Sequence, residues 1–190
     1  MPQQPTVEFR RAQLALRALT TRELLTLWKL LDPNDLDATF IPWAAAVTRL
    51  IAQRRQQSAA LARAYITRLH PTTPTPAPTP PLPVAAVAVG LHVTGVYLVK
   101  RAMQTGTALQ TAMNHAFTAS TGSATRHVLD GGRDTIRTAV TRDPRAQGWT
   151  RVTAGGCDWC QSQADGSVLP GSVEMNAHDH CACTPEPVFA

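Results

Sequence analysis

Apolar residues return every three to four positions through Leu14, Leu16, Leu19, Leu24, Leu25, Leu27, Trp28 and Leu31, the repeat of one helical face. Thr20 followed by Glu23 has the form of a capping box and predicts a new helix start within this stretch, and Asp32-Pro33-Asn34 predicts its end. A longer helix is predicted from about Pro42 to Leu69. Its apolar positions are Val47, Leu50, Ile51, Leu61, Tyr65 and Ile66, with Arg49, Arg54, Arg55, Arg63 and Arg68 between them. Seven of the fifteen prolines then fall in Pro71–Pro83. Fixed φ angles and missing N–H groups make that stretch an extended spacer, with a reach of roughly 40 Å at about 3.1 Å per residue. No Lys or Arg lies within it to orient it on a proline-binding partner. Beyond it, Val84–Met103, Thr107–Ala119 and Ser123–Thr141 again carry helical spacing. Gly131-Gly132 is expected to break or weaken the last of these, Asp143-Pro144 closes the region, and Trp149–Val152 reads as a short strand. The pattern predicts a mainly α fold. A helical body in two segments (1–70 and 84–148) is joined by a Pro-rich linker (71–83) and followed by a small Cys/His α+β module (149–190).

The longest apolar run, Val84–Val99, is interrupted by His92 and Thr94, and its 16 residues fall short of the roughly 20 that a spanning helix needs. It is read as core, and no membrane partner is expected. Met1–Arg11 lacks the apolar stretch of a secretory signal. With 44% hydrophobic residues in 190, there is material for a core of one or two domains. The 16 arginines against two lysines, with abundant alanine, reflect a high-GC genome more than a dedicated arginine surface. A net charge of +5 and a pI near 9.5 permit an anionic neighbour without naming one.

Charge is unevenly divided. Residues 1–70 carry ten basic and five acidic side chains, and residues 84–153 carry eight and three. Residues 154–190 have no Lys or Arg and five acids: Asp158, Asp165, Glu174, Asp179 and Glu186. A basic body thus ends in an acidic tail, and all four cysteines lie in that tail. The arginines of the Pro42–Leu69 helix are able to follow a phosphate backbone, although a solvated helix face is the commoner reason for such charges.

The tail contains the chemistry. Cys157 and Cys160 form C-x-x-C, which lets one tight turn present two thiolates to one ion; His178, His180, Cys181 and Cys183 follow after a loop. Two Cys/His groups at this separation have the layout of a structural zinc site. Zinc needs four ligands and the segment offers six candidates, so the sequence leaves the set open. C-x-C at 181 and 183 is tighter than usual, and a spare imidazole then supports the ligands from outside or faces solvent. Val168, Leu169, Val173, Val188 and Phe189 are the apolar residues expected to form the module's small core, which leaves metal to hold the structure.

Other chemistries fit less well. A redox C-x-x-C normally sits in a βαβ setting, which the pattern lacks. Zinc deaminases place H-x-E ahead of the cysteines, whereas these histidines follow them. A cysteine nucleophile paired with His178 or His180 is disfavoured by four clustered cysteines, while two disulfides remain an alternative in oxidising surroundings. No H-E-x-x-H frame surrounds Glu174. Ser120 and Ser123 lie near His115, His127, Asp130 and Asp134, but no nucleophile-elbow motif joins them.

G-x-C-x-x-C at 155–160, Asp165-Gly166, Leu169–Gly171, H-x-x-C-x-C at 178–183 and the closing Pro187-Val188-Phe189 resemble the C-terminal domain of phage Mu F-like minor head proteins. Gly131–Ile136 with Asp143–Val152 resembles the version found in phages of actinobacteria. The resemblance covers roughly Leu91–Phe189; the first 83 residues are similar only in being helical. It implies a virion component and not an enzyme: a minor capsid or head-morphogenesis protein inside the head, associated with portal and capsid proteins and affecting DNA packaging or ejection. Cys157, Cys160, His178, Cys181 and Cys183 match the family's characteristic positions, and His180 is an additional candidate. Packaged DNA would be met non-specifically by the arginine-bearing body. A capsid maturation protease and a nucleic-acid-binding zinc protein are the alternatives. The absence of basic residues from the tail argues against the zinc module touching DNA.

Overall fold

The computed structural model describes residues 2–71, 79–153 and 156–190. The elements run α1 (Gln4–Trp28), α2 (Leu36–Leu69), α3 (Val84–His92), a π-helical turn (Val93–Tyr97), α4 (Leu98–Gln104), α5 (Leu109–Arg142), β1 (Ala146–Val152), α6 (Asp158–Ser162) and β2 (Thr184–Phe189). The protein is mainly helical with a small two-stranded sheet near the C-terminus, as the hydrophobic spacing predicts.

Thr20 does not start a helix. α1 runs through it unbroken, and its buried hydroxyl turns back along the helix to donate to the Leu16 carbonyl (2.8 Å), so its oxygen does not face a free N–H of a following turn. Glu23, its expected capping partner, instead takes a hydrogen bond from Arg54 of α2 (2.9 Å). α1 ends at Trp28, and Asp32 then closes a turn by accepting the Asn34 N–H (2.8 Å). α2 starts earlier than Pro42 because the Asp35 carboxylate accepts the Ala38 N–H (3.2 Å) and caps it.

The two helices expected at 107–119 and 123–141 are one 34-residue helix, α5, and Gly131-Gly132 does not interrupt it. The glycines lie where α5 crosses α2. A Cβ at Gly131 would overlap the Arg55 carbonyl oxygen, and one at Gly132 would come within 2.8 Å of both Gln13 Nε2 and Ser58 Oγ. Close packing offsets the roughly 1 kcal/mol of helix propensity that each glycine costs.

Two apolar clusters organise the body. In the first, Trp43, Val47 and Ile51 of α2 meet Leu16 and Leu24 of α1, Val87 and Leu91 of α3, Val96 and Val99 beyond it, and Ala116 and Val128 of α5. Gly95 in the π turn admits the Trp43 ring, whose atoms would lie 3.3 Å from a Cβ there. The continuous helical stretch Val84–Gln104 has 21 residues, so by length and composition it is long and apolar enough to cross a membrane; the 16-residue count stopped short at Lys100. Val87, Leu91, Val96 and Val99 bury one side of it against the first cluster, and Val84, Val89, Val93 and Tyr97 are exposed on the other.

The second cluster joins body and tail: Phe9, Tyr65, Ile66, Ile136 and Val140 pack with Trp149, Cys160, Met175, Cys181 and Cys183. This corrects the expected module core, since Val168 and Val173 are exposed. Trp149 fills the space instead because β1 is held on both sides. It pairs antiparallel with β2 (Trp149 opposite Pro187, Val152 opposite Thr184), and Trp149 exchanges two 2.8 Å backbone hydrogen bonds with Leu169. Most of the predicted spacer lies at 72–78, outside the described residues. Its last part is laid on the body, with Arg55 Nη2 donating to the Pro80 carbonyl (3.4 Å) and the Thr79 and Thr135 hydroxyls 3.1 Å apart.

Candidate metal centre

Cys157 and Cys160 owe their proximity to α6. Cys157 occupies its N-cap, and Cys160 follows within the first turn, so both sulfurs leave the same end of a short helix. His178, Cys181 and Cys183 come from the loop just before β2, which the β1 pairing at Val152–Thr184 holds in place. Cys160 is central to the arrangement. Its Sγ is 3.0 Å from His178 Nε2 and 3.8 Å from Cys181 Sγ, and Cys157 Sγ is 3.2 Å from the same imidazole nitrogen. Two groups are compact enough to hold one ion, Cys157–Cys160–His178 and Cys160–Cys181–Cys183, with donor atoms within 4.8 Å of one another in each.

The donor set fits zinc. Two thiolates at about 2.3 Å from a tetrahedral ion stand about 3.8 Å apart, the separation found between Cys160 and Cys181. His178 directs Nε2 at the sulfurs while its Nδ1 contacts the Asp179 carbonyl, the arrangement that leaves the Nε2 lone pair free for a metal. The Cys183 N–H donates to Cys181 Sγ (3.4 Å), an outer hydrogen bond that suits a thiolate. His180 does not join the cluster. Its backbone is left-handed (φ 64°), which turns the ring against α5 at Gly122, where a Cβ would meet the imidazole.

Without a cation these thiols resist ionising together. Burial pushes Cys160 up to about 11. Cys157 lies lower than an ordinary thiol because the Cys160 backbone N–H hydrogen-bonds its sulfur. Cys181 and Cys183 are pushed in opposite directions by their closeness: interaction with the Cys181 thiol holds Cys183 well below an ordinary thiol, and the Cys183 sulfur together with burial raises Cys181. A divalent ion replaces those protons and removes the conflict. All four cysteines are free thiols.

The serine and histidine candidates lie elsewhere. Ser120 and Ser123 are buried where α5 meets α3 and the π turn; Ser120 Oγ is 3.1 Å from the Thr94 hydroxyl. His115 is exposed, and burial lowers the pKa of His127. Among the described residues no hydrogen bond joins either serine to either histidine. Asp130 and Asp134 are engaged by Arg133 (2.7 Å) and Arg55 (2.5 Å).

A family model described as VG15 protein matches residues 1–190, the whole sequence. The chain belongs to the VG15 protein family. The family designation points to a phage-encoded protein. No curated protein and no solved structure matches it.

The VG15 chain surrounds its Cys/His loop with arginines that the sequence pattern did not single out. Arg133 of α5 donates to the carbonyls of Cys181 (2.9 Å) and Cys183 (3.2 Å), and Arg126 donates to the Asp179 carboxylate (2.9 Å). Arg17 of α1 reaches the His180 carbonyl (3.0 Å), and Arg151 of β1 the Asn176 carbonyl (2.7 Å). Arg151 also lies over the Trp159 ring, 5.3 Å from its centre, and that ring stands edge-on to His178. Only chain separation hid these contacts: Arg133 and Cys181 are 48 residues apart and Arg17 and His180 are 163 apart.

Proposed function

We propose that this VG15 protein is a minor structural component of a phage head, a capsid or head-morphogenesis protein that contacts portal and capsid proteins and acts in assembly, DNA packaging or ejection. It would occupy the host cytoplasm during assembly and the capsid interior afterwards. One observation carries the reading: Cys157, Cys160, His178, Cys181 and Cys183, the positions that resemble the Mu F-like pattern, converge in one place, at the end of a chain that the VG15 model matches throughout. The ion is zinc, since clustered thiolates with an imidazole favour it over magnesium or calcium. Its role is structural: it holds α6 and the 178–183 loop against the body.

The acidic tail is the part suited to docking on protein, and the body the part suited to DNA. α2 offers less to DNA than its sequence suggests, because Arg54, Arg55 and Arg68 are paired with Glu23, Asp134 and Glu8. Among the described residues the guanidinium groups of Arg11, Arg22, Arg49, Arg63, Arg101 and Arg142 form no ion pair, and they remain for phosphate. Binding through such scattered charges is salt-sensitive and indifferent to base sequence.

Quantitative mass spectrometry of purified particles from the source phage or prophage tests the role. The expected result is a few to some tens of copies per head, far below the major capsid protein. Presence only in assembly intermediates would favour a protease or transient assembly factor, and absence from both would overturn the proposal.

A further inference from the structure

We propose that Arg133, with Arg126 and Arg17, is a positioning shell for the metal centre: the three arginines hold the His178–Cys183 loop in its ligand-converged form, so that metal binding and seating of the tail on α1 and α5 are one coupled equilibrium. The inference rests on the metal reading above and adds to it a set of residues that touch no metal.

The loop has little regular structure of its own. Between His178 and Cys183 the only backbone hydrogen bond among the described residues runs from the Cys181 N–H to the His178 carbonyl (3.0 Å). Fixing each residue of such a loop costs on the order of 1–2 kcal/mol of conformational entropy, so something outside it must hold it. Arg133 supplies the firmest hold. Its side chain is only 4% exposed, and a guanidinium so buried is tolerated only when its N–H groups find acceptors. Nη1 goes to Asp130 (2.7 Å), Nη2 to the Cys181 carbonyl and Nε to the Cys183 carbonyl. One planar fork therefore spans the C-x-C turn from behind and fixes the peptide planes of two candidate ligands. A lysine has a single charged centre and cannot span the same two carbonyls while keeping Asp130.

The neighbouring grips are consecutive. Arg126, two helical turns before Arg133 on the same face of α5, holds Asp179, and Arg17 of α1 holds His180. Asp179 and His180 separate the ligand His178 from the ligand Cys181. His180 thus contributes its carbonyl and its ring's contact with Gly122 to seating the loop, with its ring away from the sulfurs. The shell is also electrically suited to the site. Zinc bound by three or four thiolates leaves one or two net negative charges, and guanidiniums just outside them offset that excess. By linkage, whatever the metal contributes to seating the loop, the arginines return to metal affinity.

The test uses the full chain, with Co²⁺ as a spectroscopic probe and a zinc chelator in competition. Arg133→Met is expected to weaken metal binding about 10- to 100-fold, the usual effect of losing an outer partner, with the thiolate-to-cobalt absorption unchanged in shape. Arg133→Lys should recover little of it. Removing metal from the wild type should raise hydrogen exchange in α1 around Gln13–Arg17 and in α5 around Gly122–Arg133. If Arg133→Met instead lowers thermal stability while binding metal like the wild type, or if chelation leaves exchange in α5 unchanged, the coupling is refuted. Should Arg133→Met not fold, Arg126→Met and Arg17→Met, at more exposed positions, carry the same comparison. A wild type that takes up no cobalt or zinc would overturn the metal reading itself, an outcome distinct from normal uptake without coupling.

Discussion

Cys160→Ser is expected to abolish stable metal uptake, whereas Cys183→Ser should only weaken it. Cys160 belongs to both compact donor groups, while losing Cys183 leaves Cys157, Cys160, His178 and Cys181 still together. For Cys160→Ser the affinity should fall by more than about a hundredfold, beyond the effect of removing an outer partner. The consequence for folding is of similar weight, because metal binding in small Cys/His modules contributes on the order of 10 kcal/mol to their order. Cys160 is also packed with Phe9, Tyr65, Ile136 and Trp149, so the disturbance should reach the body–tail cluster. Inductively coupled plasma measurement of zinc per chain, with tryptophan fluorescence to which Trp149 and Trp159 beside the site contribute, separates the variants. Full zinc occupancy in Cys160→Ser would remove that residue from the ligand set.

Gly131→Ala should destabilise the protein by about 3 kcal/mol, seen as a fall of roughly 6–12 °C in melting temperature for a chain of this size. On helix propensity alone the substitution would help by about 1 kcal/mol. The added methyl group has nowhere to go, because the neighbour it meets is the Arg55 backbone, and the Arg55 side chain is fixed between Asp134 and the His127 carbonyl (3.1 Å). Gly122→Ala is a useful comparison. There the obstacle is the His180 ring, a side chain that is able to swing, so a smaller loss is expected together with a shift of the ligand loop. A rise in melting temperature for Gly131→Ala would mean that the two glycines act as a flexible break and not as a crossing point.

These glycines also show where reading the sequence succeeds and where it fails. Periodicity depends on neighbours within one or two turns, and it located α1, α2, the α3–α4 stretch and α5 with useful accuracy. A Gly-Gly pair gives the same local signal whether it ends a helix or lets another helix approach, and only the packing partner decides. Thr20 failed for a related reason: a capping box and a back-bond to Leu16 call for the same residue type, and full burial within an unbroken α1 goes with the second. The cysteines were legible because C-x-x-C and C-x-C carry their geometry in their spacing. His180 was not, since its left-handed backbone turns the ring away from its neighbours' target. The arginine shell left no local trace, because carbonyl acceptors have no residue signature. The helix predicted over Val84–Met103 is present as Val84–Gln104, but the apolar run within it counts only to Val99, because a run of apolar residues ends at the charge of Lys100 whereas the helix does not.

The contacts from α1 to the tail also set a timetable for synthesis. α1 emerges well before the tail, so Phe9 completes its packing only when Cys181 and Cys183 arrive, and Arg17 waits for a carbonyl made 163 residues later. At roughly 5–20 residues per second, translation leaves that face uncovered for about ten to thirty seconds. The nascent chain therefore presents Phe9 on its amphipathic helix without its tail partners throughout most of its own production, whereas Leu16 and Leu24 have α2 to pack on much earlier; this is the stage at which chaperone binding or premature pairing with a sister chain competes with folding.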